Sequence, residues 1–189
     1  MRVRLTAVHD AVIRDACCVI NLYASRRMAD ILDTVAERTV VAAYVRDVES
    51  TEVRLARDDA ETPIAEPIAL NAMVGACALK VVSLRSAEEE ETFVNYAAAL
   101  GDDGEAITGA IAFHRGWAVA TDDRKATNLL VRQAPHIQVV CTPELLRHWA
   151  AVASPSSEEI RSAIENIQNG AHYHPRRSHP LFAWWQGYC

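Results

Sequence analysis

The stretch Asp102 to Ala126, DDGEAITGAIAFHRGWAVATDDRKA, decides how the chain is read. Gly101-Asp102-Asp103-Gly104 is a turn, Glu105 to about Arg115 a helix, and Gly116 closes that helix. Trp117 to Thr121 then reads as a strand and Asp122 to Gln133 as a helix. Helix, strand and helix in direct succession is the pattern of a parallel sheet covered by helices.

The pattern continues on both sides. Downstream come a strand at Ile137 to Cys141 and a helix at Pro143 to Val152. The linker and cap Ser154-Pro155-Ser156-Ser157 follows, then a helix from Glu158 to Asn169 and an acid-free tail, Gly170 to Cys189. Upstream, Ala11-Val12-Ile13 is a strand ending at Arg14 and Asp15. A helix follows over Ala16 to Ser25, then a second over Met28 to Glu37, with Met28, Ile31, Leu32, Val35 and Ala36 at helical spacing. Thr39 to Ala43 reads as a buried strand, Tyr44 to Leu55 as a charged helix, and Arg57 to Pro67 as an acidic loop. The alanine-rich stretch Ile68 to Ala78 is ambiguous, fitting a helix better than a strand, and Leu79 to Leu84 reads as a strand. Ser86 opens another helix, whose run Glu88 to Glu91 reads as a solvated helix start.

The chain has 189 residues, half of them hydrophobic and 23% charged, so it can bury a core without disulfide or metal staples. A net charge of −6 argues against a broadly basic nucleic-acid binder, although a local basic patch or a metal ion can supply what the average lacks. The five cysteines (Cys17, Cys18, Cys77, Cys141, Cys189) are odd in number and lack C-x-x-C spacing, which favours reduced, buried thiols. Met1 to Asp15 holds no apolar run of the signal-peptide kind, and Pro67 to Leu79 is too short to span a bilayer, so a cytoplasmic, non-membrane protein is expected. There is no G-x-S-x-G, P-loop or G-x-G-x-x-G, and nothing places His114 beside Cys17 as the base of a thiol nucleophile.

In open parallel sheets, ligands bind beyond the carboxyl ends of the strands. Asp15, Glu49, Glu105 and the pair Asp122-Asp123 fall near such places. Convergent carboxylates repel one another and titrate upward unless a cation joins them, and oxygen-only ligands suit Mg²⁺ or Mn²⁺ rather than Zn²⁺. Each acid also has a structural reading. Asp102 and Glu105 fit a capping box, Asp122 can cap the next helix, Asp15 can start its own, and Glu49 can be a surface charge beside Arg46 or Arg54.

The order strand-Asp, helix-Glu, G-E-A at a helix start and T-D-D-R-K-A after a strand resembles the PIN domain family of nucleases. It is most similar to the toxin-type members, the virulence-associated protein C (VapC) ribonucleases. The best-matching stretch is Asp102 to Ala126, and AVIRDACCVINLYAS, from Ala11, resembles the family's opening strand and helix. The resemblance covers about residues 8–150. It implies a three-layer α/β/α nuclease domain with a central, mainly parallel sheet, leaving residues 151–189 as a C-terminal helical extension and aromatic tail. It further implies that Asp15, Glu49, Glu105 and one or both of Asp122 and Asp123 hold one or two Mg²⁺ (or Mn²⁺) ions and carry catalysis. Asp47 and Glu52 stay open as alternatives to Glu49. Arg14 and Cys17 depart from the family, which has a hydrophobic residue and a small or hydroxyl-bearing one there.

The implied function is a metal-dependent endoribonuclease, the toxin of a type II toxin–antitoxin pair, with an antitoxin protein as partner and a homodimer as its common state. The alternative is a PIN-like nucleic-acid-binding or regulatory module without turnover. Arg124 and Lys125, with Arg132 further along, are candidate phosphate contacts for the RNA, or else a solvated helix face. The tail (His172, His174, Arg176, Arg177, His179, Trp184, Trp185, Tyr188) has three readings: an arm stacking on single-stranded RNA, an anchor for a protein, or a segment packed back on the domain or on a second protomer. His172, His174, His179 and Cys189 match no standard zinc spacing.

Overall fold

Short runs of β-branched and small apolar residues build the sheet. The structure, a computed structural model, describes residues 9–35, 38–50, 52–55, 64–75 and 79–189. Val12–Arg14 (β1), Thr39–Ala42 (β2), Lys80–Val82 (β5), Ala118–Ala120 (β6) and Val139–Val140 (β7) pair in parallel, in the order β5-β2-β1-β6-β7. The three central strands are buried along their whole length, which is why they read as continuous apolar runs without alternation.

Helices cover both faces. On one, Ala16–Ala24 (α1), Met28–Thr34 (α2), Thr142–Val152 (α7) and Ser157–Gly170 (α8) pack together. On the other lie Ala87–Leu100 (α4), Asp103–Arg115 (α5) and Arg124–Gln133 (α6). This is the side to which right-handed crossovers into β6 and β7 carry them. The fold is therefore α/β, a five-stranded parallel sheet between two helical layers. Helix α8 buries Ile160, Ala163, Ile164 and Ile167, a one-sided stripe at i, i+3, i+4 and i+7. Helix α5 is buried nearly all round and uses small residues. At Gly109 a Cβ would stand 3.1 Å from the Tyr96 ring of α4. Leu70–Gly75 (α3) lies within the stretch read as a helix, whose end, 76–78, falls outside the described residues. Among the described residues no helix is long and apolar enough to cross a membrane.

The boundary signals act as expected. Ser86, Asp102 and Ser156 cap α4, α5 and α8, while Gly101 and Gly116 take positive φ (73° and 63°) to end α4 and α5.

Three expectations are corrected. Tyr44 to Leu55 is not one helix: a π-helical turn, Val45–Glu49, gives way to strand Glu52–Leu55 (β3). That strand pairs antiparallel with Ile64–Pro67 (β4), so the end of the expected loop is a strand, and residues 57–63 lie outside the described residues. The hairpin packs against α1 and α8, and pairing plus burial there overrides the weak helix preference of a segment with three valines. The glutamate run is only partly solvated. Glu89 is 2% exposed and accepts two bonds from Arg115, at 2.7 and 2.9 Å, which tie the start of α4 to the end of α5. The Arg115 guanidinium also lies 5.1 Å from the centre of the Trp117 ring.

The tail packs back on the domain. Trp185, in the short helix Phe182–Gln186 (α9), is fully buried. Tyr173 meets it edge-on at 5.9 Å, and Arg147 of α7 lies over the Trp184 ring.

Candidate active site

Successive strands are added on one side of β1 and then, from β6, on the other, and the crevice beyond the carboxyl ends of β1 and β6 is where such sheets bind ligands. Strand β1 delivers Asp15 to it, and β6 delivers Thr121, Asp122 and Asp123. The Asp15 carboxylate is 3% exposed. Its Oδ1 accepts from the Ala16 N–H at 2.7 Å, capping α1, and its Oδ2 accepts from the Thr121 hydroxyl at 3.0 Å and the Cys17 thiol at 3.2 Å. Burial raises its pKa, against the pull of those donors, and the charge of Asp102 adds to the rise.

Glu49 ends the π-helical turn, and its carboxylate lies directly against Gly104 at the start of α5. A Cβ at Gly104 would overlap the whole carboxylate group. Asp47 is instead paired with Arg46 at 2.6 Å, and Glu52 is exposed at the start of β3. Of the three candidates, Glu49 therefore faces the crevice. Gly104→Ala should keep or slightly raise thermal stability, since alanine favours a helix and the displaced group is a flexible side-chain end. It should also lower any metal-dependent activity about 10–100-fold by moving Glu49, a scale typical of residues that orient a ligand. Unchanged activity in a thermal-melt and turnover comparison would remove Glu49 from the site.

Glu105 is half-buried at the first turn of α5 and accepts no hydrogen bond among the described residues; the capping there comes from Asp102, which accepts from the Glu105 N–H at 2.9 Å. Burial, then the charges of Asp123, Asp15, Asp102 and Glu49, push the Glu105 pKa up to about 8. Burial, then Asp102 and Asp15, push Glu49 up to about 7. The structure thus groups Asp15, Glu49, Glu105 and Asp123, and adds Asp102, which the sequence offered only as a cap.

These shifts have a sign. In the unfolded chain both glutamates ionise near 4.5, so between that pH and about 8 the folded protein holds more protons and stability falls as pH rises. In EDTA the melting temperature should therefore decline from pH 5 to pH 8 more steeply in the wild type than in Glu105→Gln, and Mg²⁺ should raise it at pH 8 but not at pH 5. Equal slopes in the two proteins would show that Glu105 does not carry the strain.

Asp122 and Asp123 separate. Asp123 caps α6, accepting from the Ala126 N–H at 2.8 Å, the role the sequence offered to Asp122. The Asp122 carboxylate accepts from Asn21 Nδ2 at 2.8 Å, Thr142 N–H at 2.9 Å, Tyr173 OH at 2.9 Å, the Thr142 hydroxyl and the Cys18 thiol. Burial, then Asp122 beside it, pushes the Tyr173 phenol well up, so it remains a donor. Asp122 is thus a saturated hub joining α1, α7 and the tail. The sequence missed Asn21, Thr142 and Tyr173 because no local pattern marks partners 20 to 101 residues apart.

Cys17, Cys18 and Asp122 bring ligand atoms within 4.8 Å of one another, the set of three that does so among the described residues. Each of these atoms already has protein hydrogen-bond partners, and burial pushes the Cys18 thiol well up, so the group reads as part of the same hub. The four acids stand further apart, as like charges do. Cys17 does not meet His114, which bonds Thr92 at 2.8 Å. Arg14 is fully buried, which lowers its pKa to about 10, and only its Nη1 finds a partner, the Val12 carbonyl at 3.4 Å.

Of the basic candidates, Lys125 bonds the Leu100 carbonyl at the end of α4, and Arg132 bonds Asn128 O at 3.1 Å. Arg124 is exposed and lines a pocket next to the acids. The tail histidines and Cys189 have separate partners: His179 meets Cys141 at 3.2 Å, and His174 and Cys189 each meet Gln168. Comparison with family models, with curated proteins and with solved structures finds no match to this chain.

Proposed function

We propose that the chain is a metal-dependent endoribonuclease of the PIN-like kind its motifs resemble, hydrolysing RNA phosphodiester bonds as the toxin of a type II toxin–antitoxin pair in the cytoplasm. The observation that carries this reading is the meeting of Asp15, Glu49, Glu105 and Asp123 at the switch point, where the neighbouring charges push Glu49 and Glu105 up and the Glu105 carboxylate has no hydrogen-bond partner among the described residues. A binding module gains nothing from such mutual repulsion. The donors are all oxygen, which fits Mg²⁺ or Mn²⁺. Asp122 does not fit a ligand role, because its oxygens are already occupied.

When bound, the ion would supply an activated water and neutralise charge on the phosphate oxygens. The protein's own part is placement. The α1 N-terminus, Cys17 and Thr121 hold Asp15 in one orientation, and Gly104 seats Glu49. Glu105 keeps a proton at its carboxylate up to about pH 8 unless a cation draws it off. An antitoxin segment covering these acids would block substrate entry.

The test is cleavage of a labelled, structured RNA pool with Mg²⁺ or Mn²⁺ against an EDTA control, with metal binding followed by calorimetry. Metal-dependent cutting is expected. Neither cutting nor metal binding would return the acids to helix capping and leave a non-catalytic module.

A further inference from the structure

A second pocket opens beside the acids, and the tail builds one wall of it. Its volume is about 570 Å³, inside the ~300–1,000 Å³ range of small-molecule sites. The start of α6, the ends of β6 and β7, the start of α7 and tail residues Tyr173 to Pro180 enclose it. Both acids in its wall are consumed internally: Asp122 by its hub, and Glu144 by the Cys141 N–H (3.0 Å) that it caps at the head of α7. Arg124 and Arg176, which also line it, have side chains with no hydrogen bond or ion pair among the described residues. With its acids engaged by protein donors and its two guanidiniums free, the pocket offers its open hydrogen-bond donors to an anion, and two arginines suit a phosphate in particular. His174, His179 and the ring of Tyr173 add planar surface for a base. Thr121 stands in the pocket wall and donates to Asp15 at 3.0 Å, so the pocket and the acid crevice share a wall.

We propose that this pocket is a nucleotide subsite that takes a phosphate between Arg124 and Arg176 and seats the nucleotide flanking the bond to be cut. The strand assignment rests on the nuclease reading; the pocket's affinity for a nucleotide does not. It gives the residues beyond 150 a part in substrate recognition.

Adenosine 3′,5′-bisphosphate serves as the probe, titrated calorimetrically into the full chain in EDTA, where no cleavage occurs. Saturable binding is expected, weakening as salt rises, and tighter than that of inorganic phosphate or of adenosine. Arg124→Glu and Arg176→Glu, both at exposed positions, should each weaken it about tenfold or more and flatten its salt dependence. No saturable binding, or binding indifferent to both charge reversals, overturns the proposal. Inorganic phosphate binding as tightly as the bisphosphate overturns the nucleotide assignment. A chain that cleaves RNA but fails this titration loses the subsite alone, and one that passes it but cleaves nothing loses the nuclease reading alone.

Discussion

Asp15→Asn should lower metal-dependent RNA cleavage by about 10²–10³-fold or more, the scale of removing one preorganised charge from an electrostatic site, without lowering the melting temperature. The substitution isolates charge from packing. Asparagine keeps an oxygen to accept the Ala16 N–H and cap α1. Its amide would meet the Thr121 hydroxyl and the Cys17 sulfur, both of which can accept as well as donate. It also removes a buried carboxylate whose desolvation, together with the charge of Asp102, opposes ionisation. In EDTA at pH 8, stability should therefore equal or exceed that of the wild type. Full activity in Asp15→Asn would sink the site, and a large fall in melting temperature would mean that Asp15 acts mainly as a cap.

Trp185→Ala should destabilise the protein by about 3–5 kcal/mol, the usual cost of emptying a large buried aromatic site. Trp185 is fully covered although only four residues follow it. Its indole N–H has no partner among the described residues, so its contribution is packing, and Trp185→Phe should cost much less. The loss reaches the site through Tyr173, which packs on Trp185 and donates to Asp122. Urea unfolding followed by circular dichroism measures both variants. A midpoint unmoved by Trp185→Ala would mean that the tail is an appendage and would also weaken the case for the tail-walled pocket.

Much of the frame was legible locally. A strand ending in Asp15, the caps Ser86, Asp102 and Ser156, and the closing glycines 101 and 116 each act through neighbours within four residues, so a linear reading finds them. Helices α5 and α8 themselves were legible for the same reason. The hairpin of β3 and β4 was not, because a strand's stabilisation comes from a partner that local propensity does not report. Nor was Glu89, one of four consecutive glutamates, marked out as the one that meets Arg115, 26 residues away.

At the site the division is finest. By itself, the sequence determined which acids lie at the carboxyl ends of strands or at helix starts, and that oxygen donors of this kind favour a hard divalent cation. Only the tertiary structure decided that Glu49 rather than Asp47 or Glu52 faces the crevice, because the space for its carboxylate exists only where Gly104 lacks a side chain. It likewise parted Asp122 from Asp123. Adjacent residues leaving a strand point in different directions, and which of them meets donors depends on Asn21, Thr142 and Tyr173, brought from three distant parts of the chain.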